Sequence, residues 1–172
     1  MIAIREEAPA DTAAIAELVE RAFAGAPHSD GTEAKIVARL RADGDLALSL
    51  VAEAEGEILG HAAFSPVSID GAADGDFGHW FGRWFGLGPV AVLPERQGEG
   101  LGSALIHRGL ESLRAAGAGG CVVLGDPGFY ARFGFAADDA LRFPGPPAEF
   151  FQRLVFVGPP PRGTVAYARA FA

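Results

Sequence analysis

The chain has 172 residues, 49% of them hydrophobic and 21% charged, with a formal net charge of −8 at pH 7. That fits one folded domain over residues 1–172 with a real core, and the absence of any Lys/Arg run argues against nucleic acid as a partner. A single cysteine, Cys121, excludes an intrachain disulfide and a cysteine zinc cage; the acidic start MIAIREEAPAD and the lack of a membrane-length apolar run point to a cytoplasmic protein with no membrane partner.

Met1 to Glu6 alternates apolar and polar residues and predicts a first strand. Asp11 is placed to cap a helix with Ile15, Leu18, Val19, Ala22 and Phe23 on one stripe. After the break GAPHSDG, Thr32 is placed to cap a second helix carrying Ile36, Val37 and Leu40. Two strands around a turn at Glu55-Gly56 follow, and DGAADGD predicts another turn. The repeat FGHWFGRWFGLG, residues 77–88, predicts an extended hairpin arm with Phe77, Phe81 and Phe85 on one face and Trp80 and Trp84 on the other. One side of that arm packs on the core, or it forms an aromatic wall over a site.

LGPVAVLP then reads as an apolar strand stopped by Pro94, followed by a helix with Ile106, Gly109, Leu110 and Leu113 on one side up to Gly117. GCVVLG predicts a buried strand, DPGFYARF a turn or short helix, GFAA the beginning of a further strand and TVAYARAF a terminal strand. Strands before and after helices in this order predict a mixed α/β sheet with no second domain.

The stretch PERQGEGLGSAL places Gly98, Gly100 and Gly102 where a helix begins, although each glycine disfavours helix by ~1 kcal/mol relative to alanine. A strand, a glycine turn and a helix N-terminus present unpaired N–H groups in one direction, and the helix dipole makes phosphate their natural ligand. Arg96 is placed to add a charge-assisted contact. No Lys-Ser/Thr follows the last glycine, as a Walker A loop needs, and Ser103 stands where a dinucleotide fingerprint needs its third glycine. A close-packed turn would explain the glycines equally well.

Taken together, GHAAFSPV, LGPVAVLPERQGEGLG and FYARFGF, in that order and spacing, resemble the GNAT superfamily of acyl-CoA-dependent N-acyltransferases, closely over Leu87 to Phe135. The resemblance implies a mixed, mostly antiparallel twisted sheet with a splayed central strand and flanking helices, an α/β (α+β) fold. It implies acetyl-CoA as cosubstrate, no metal, and a primary amine, on a small molecule or a protein, as acceptor. Gln97, Gly98, Gly100, Gly102 and Ser103 inherit the pyrophosphate contacts. Val90 N–H would face the thioester oxygen, and Val92 would pair with the pantetheine amides; a fixed N–H stabilises the negative charge that amine attack builds there.

Tyr130, four residues before Gly134, matches the tyrosine that protonates the departing thiolate; its other reading is packing with Phe129 and Phe133. Where relatives place a cofactor-contacting asparagine, LGDPG stands instead, and Asp126 lacks an amide donor. Glu33 is the candidate proton acceptor, set against a solvated first-turn Glu. His61 and His79 are further candidates, while His28, His107 and Cys121 carry no metal or nucleophile pattern. A second reading is an acyl-CoA-binding sensor without turnover; a third, a nucleotide-phosphate protein, lacks its lysine or ribose carboxylate.

Overall fold

In a computed structural model, which describes residues 1–71 and 80–172, nine strands form two sheets. The larger has six strands in the order β1 (Ala3–Glu6), β2 (Leu48–Ala54), β3 (Glu57–Pro66), β5 (Trp84–Val92), β6 (Gly120–Leu124) and β8 (Phe151–Val155). Every neighbouring pair in it is antiparallel except β5 and β6. This matches the expected mostly antiparallel sheet. A smaller sheet of β4 (Ser68–Ile69), β9 (Gly163–Ala166) and β7 (Leu141–Arg142) was not foreseen from the sequence.

Helix α3 (Leu101–Ala115) packs on one face of the large sheet, where Phe64 fills the space in which a Cβ on Gly109 would lie. Glycine is therefore required there for close approach rather than for a turn. Phe64 and Phe85 are completely buried, and such side chains each contribute roughly 1.5–3 kcal/mol by leaving water. Helices α1 (Thr12–Phe23) and α2 (Glu33–Asp43) pack against each other and bury Ile15, Leu18, Val19, Val37 and Leu40, most of the predicted stripes. The small sheet closes a second apolar cluster around Val67, Val122, Leu141, Phe151 and Val165.

β5 positions the site. Residues Trp84 to Leu87 pair with Gly120 to Val123 of β6, but from Gly88 onward β5 keeps only β3 as a neighbour. The register against β3 shifts by one residue between the Ala62–Val90 and Phe64–Leu87 pairs, so Gly88 and Pro89 form a bulge opposite Ala63. Gly88 has φ +144, a conformation that L side chains rarely adopt, and Pro89 has no N–H to offer either neighbour. The strand splays at this point.

Several local expectations need correction. Asp11 and Thr32 stand at their helix starts but neither side chain caps: Asp11 accepts from Ala8 N–H and Arg5, and Thr32 donates to Asp30. A nearby guanidinium or carboxylate competes better than the helix amides. Residues 77–79 lie outside the described residues; Trp80 to Gly82 do not extend the arm, and β5 begins only at Trp84. Because the chain turns there, the alternation fails: Trp80 packs edge-on against Phe85 at 5.5 Å, while Phe81 is 80% exposed. Trp84 does approach glycines closely, but Gly119 and Gly120 rather than the glycines of its own repeat. GFAA makes one bridge, Ala136 with Arg153, instead of a strand, and the terminal strand ends at Ala166.

Candidate active site

The backbone of the splayed segment is turned outward. Leu93 N–H donates to Leu59 O on β3 at 3.0 Å. Peptide groups alternate sides along a strand, so Ala91 also faces β3, and the amides of Val90 and Val92 face the side where β6 has left. Their side chains share one sheet face with the paired Ala62 and Gly60, the face that α3 covers.

At the end of β5 the chain runs through Pro94–Arg96 into the glycine turn. Gly98 and Gly100 both have φ +84, and a Cβ on either would meet nothing within 4 Å, so these glycines serve conformation and leave bare backbone. The first intrahelical bond of α3 runs from Ala104 N–H to Gly100 O, 3.0 Å, leaving the amides of Leu101, Gly102 and Ser103 with no acceptor inside the helix. Gln97 uses its side-chain amide to hold Val92 O at 3.3 Å. Arg96 is paired with Glu99 at 2.9 Å, and that carboxylate raises the guanidinium pKa.

Helix α4 (Pro127–Tyr130) supplies the opposite wall. Asp126 caps it by accepting from Gly128 N–H at 3.0 Å, which gives this residue a structural task in place of the missing amide donor. Tyr130 lies across Gly125: a Cβ there would stand 2.5 Å from the ring. The ring also meets Phe129 at 5.0 Å, Phe133 at 6.3 Å and Phe135 at 5.9 Å. Burial, with lesser effects of Cys121 and Asp126, raises the phenol pKa.

One cavity of ≈ 720 Å³ is lined by Val90, Val92, Gln97, Gly98, Gly100, Gly102, Ser103 and Tyr130. Every position assigned to the cosubstrate from sequence therefore meets the phenol in a single space. Another, of ≈ 760 Å³, lies against Leu141, Phe143 and Phe151 and shares none of these residues.

A family model described as "Acetyltransferase (GNAT) domain" matches residues 45–137, from β2 to the end of the Tyr130 region. The chain belongs to the GNAT acetyltransferase family. YhbS, an uncharacterized N-acetyltransferase of Escherichia coli (strain K12), is 41% identical over 152 residues, 86% of this chain and 83% of that protein. A GNAT family acetyltransferase from Brucella melitensis, crystallised with acetyl-CoA, is 49% identical, with a TM-score of 0.86 over 100% of this chain and 99% of that one. Crystalline YhbS from Escherichia coli in complex with CoA superposes with a TM-score of 0.85 at 37% identity, covering 99% and 91%.

Other predicted residues of this GNAT chain lie elsewhere. Glu33, at the start of α2, accepts a hydrogen bond from Ser29 Oγ at 2.6 Å and is not part of the cavity lining. His107 stacks edge-on against Phe133 at 4.8 Å, and Cys121 is fully buried, its thiol pKa pushed up by desolvation. His79 lies outside the described residues. No helix among the described residues is long and apolar enough to cross a membrane.

The sequence reading gave no site role to Leu101, Ile106, Phe129 or Arg132, which also line the cavity. Arg132 donates to Phe129 O at 2.9 Å and stacks over the Phe129 ring at 4.5 Å, so it brings a second guanidinium to this wall. Its only signal was its place inside FYARFGF.

Proposed function

We propose that this protein transfers an acetyl group from acetyl-CoA to a primary amine by direct attack of the amine on the thioester. The observation that carries this is the convergence of two unpaired β5 amides, the open α3 N-terminus and Tyr130 on one cavity. The relatives crystallised with acetyl-CoA and CoA support the choice of thioester.

The chain's own groups divide the work. Amides at residues 98–103 and the positive end of α3 hold the diphosphate, with Arg96 and Arg132 at the rim. Val92 offers its backbone to the pantetheine arm, a role for which Gln97 must release Val92 O. Val90 N–H is fixed before the reaction begins, so it meets the growing negative charge on the carbonyl oxygen without reorganising. As the new N–C bond forms and the C–S bond breaks, Tyr130 gives its proton to the sulfur and regains one from the nitrogen. The raised phenol pKa keeps that proton in place near neutrality.

Calorimetry with acetyl-CoA, followed by thiol release across a panel of primary amines, tests the assignment. Binding with amine-dependent release of one thiol per amide is expected. Binding without release from any amine would make the protein an acyl-CoA sensor, and no binding would overturn the site itself.

A further inference from the structure

Gln152, on β8, is a polar side chain inside the core, only 2% exposed. It pairs with Val123 of β6, which pairs in turn with Leu87 of β5, and paired residues project to the same side. Leu87 pairs with Phe64, the residue that meets Gly109 of α3, so Gln152 lies on the sheet face that α3 covers and that carries Val90 and Val92. Packing alone does not call for an amide there. A leucine or methionine would fill similar space, whereas a buried amide costs free energy unless it is hydrogen-bonded.

The amide is directed at one glycine. Gln152 Nε2 donates to Gly125 O at 3.1 Å and, more weakly, to Phe150 O at 3.4 Å. Phe150 O also accepts from Gly125 N–H at 2.9 Å. The β6–β8 ladder ends with the pair Leu124–Phe151, so Gly125 is the first residue beyond it. Both of its backbone polar groups are nevertheless held by the start of β8. Gly125 and Asp126 in turn carry Tyr130 in two ways. Tyr130 N–H donates to Asp126 O at 3.0 Å, and the ring lies across Gly125, where a Cβ would stand 2.5 Å from Cε2 and 3.5 Å from Cζ, the atom bearing the hydroxyl. So close an approach requires glycine, which is also the residue with the widest backbone freedom. Left unheld, Gly125 would be a soft base for the ring.

We propose that Gln152 is the positioning residue of the proton donor: its amide clamps the Gly125–Asp126 peptide from the β8 side and so sets where Tyr130 holds its hydroxyl. The inference rests on the N-acetyltransferase reading above, in which Tyr130 protonates the departing sulfur. Gly125, Asp126 and Tyr130 all line the cavity and Gln152 does not, so the amide acts through the peptide it holds. Placement of this kind matters to rate, since a displacement of about 1 Å caused by a remote change can cost on the order of a hundred-fold.

Two variants, a double variant and one NMR contact test this, with methylamine as the acceptor probe. Gln152→Met keeps the length of the side chain without its donor. Gln152→Asn keeps the amide but falls a methylene short of Gly125 O, and either serves if the other does not fold. Each is expected to lower kcat by about ten-fold, with the KM values for acetyl-CoA and methylamine within about two-fold of the parent protein. In a Tyr130→Phe background the same substitution should change kcat by less than about two-fold, because a phenyl ring has no proton to aim. In the unmodified protein the NOE between Gly125 Hα and the Tyr130 ring hydrogens should be strong, and both substitutions should weaken it. An unchanged kcat, KM values that rise as far as kcat falls, a loss that multiplies fully with that of Tyr130→Phe, or an unaltered NOE would overturn the proposal. Failure of the unmodified protein to release thiol with any primary amine would instead remove the N-acetyltransferase reading, and the NOE would still decide whether Gln152 sets the ring.

Discussion

The two halves of β5 differ in kind. From Trp84 to Leu87 the strand has neighbours on both edges, and Phe85 and Leu87 are buried in the core. From Gly88 to Val92 it is paired on one edge only, and Val90 and Val92 line a cavity. The first half spends its backbone groups on the ladder, whereas in the second the amides of Val90 and Val92 face away from β3, its one remaining strand neighbour. Stability and chemistry are thus separated along nine residues of a single strand.

The largest expected effect falls on the paired half. Phe85→Ala empties a fully buried position and should cost about 3–5 kcal/mol in urea unfolding. A loss below about 1 kcal/mol would show that this half is not the stabilising one. A pH scan tests the region behind the open half. His61 has a folded pKa near 4, lowered from 6.5, so the unfolded chain binds more protons between those values. Its contribution is fully present above pH 6.5 and is lost as the pH falls toward 4, by roughly 3 kcal/mol. His61→Asn should flatten that part of the stability profile.

On the open half, Tyr130→Phe should lower kcat by about a hundred-fold while leaving acetyl-CoA binding within about two-fold. Unchanged turnover with the same amine would remove the phenol from the reaction. Gly125→Ala should act on the same step indirectly, because its Cβ meets the Tyr130 ring. The smallest change is expected at the rim. Glu99→Gln frees Arg96 from its exposed pair and should tighten acetyl-CoA binding about two-fold at low salt, with the gain fading as salt rises. A gain that is independent of salt would point away from electrostatics.

Legibility followed the range of the interactions involved. The helices α1, α2 and α3 and the strands around Glu55-Gly56 were readable because periodicity and turn chemistry are local. The glycine loop was readable for the same reason, since φ +84 at Gly98 and Gly100 is a demand written into residue type. The aromatic repeat misled: period four in sequence presumed extended backbone, and the turn at Trp80–Gly82 removed it. Asp11 and Thr32 had cap spacing, but Arg5 and Asp30 took their side chains.

By itself, then, the sequence determined the family, the three long helices and the strands between them, the glycine turn before α3 and the tyrosine that lies across the cavity from it, because each is carried by residues close together in the chain. Only the tertiary structure decided that β5 parts from β6 after Leu87, that Arg132 joins the cavity wall, and that Arg41, Glu7 and Ser49 form one hydrogen-bonded chain ending on the buried His61 ring. Those facts depend on register and on contacts between residues 12 to 42 positions apart, and no local pattern encodes them.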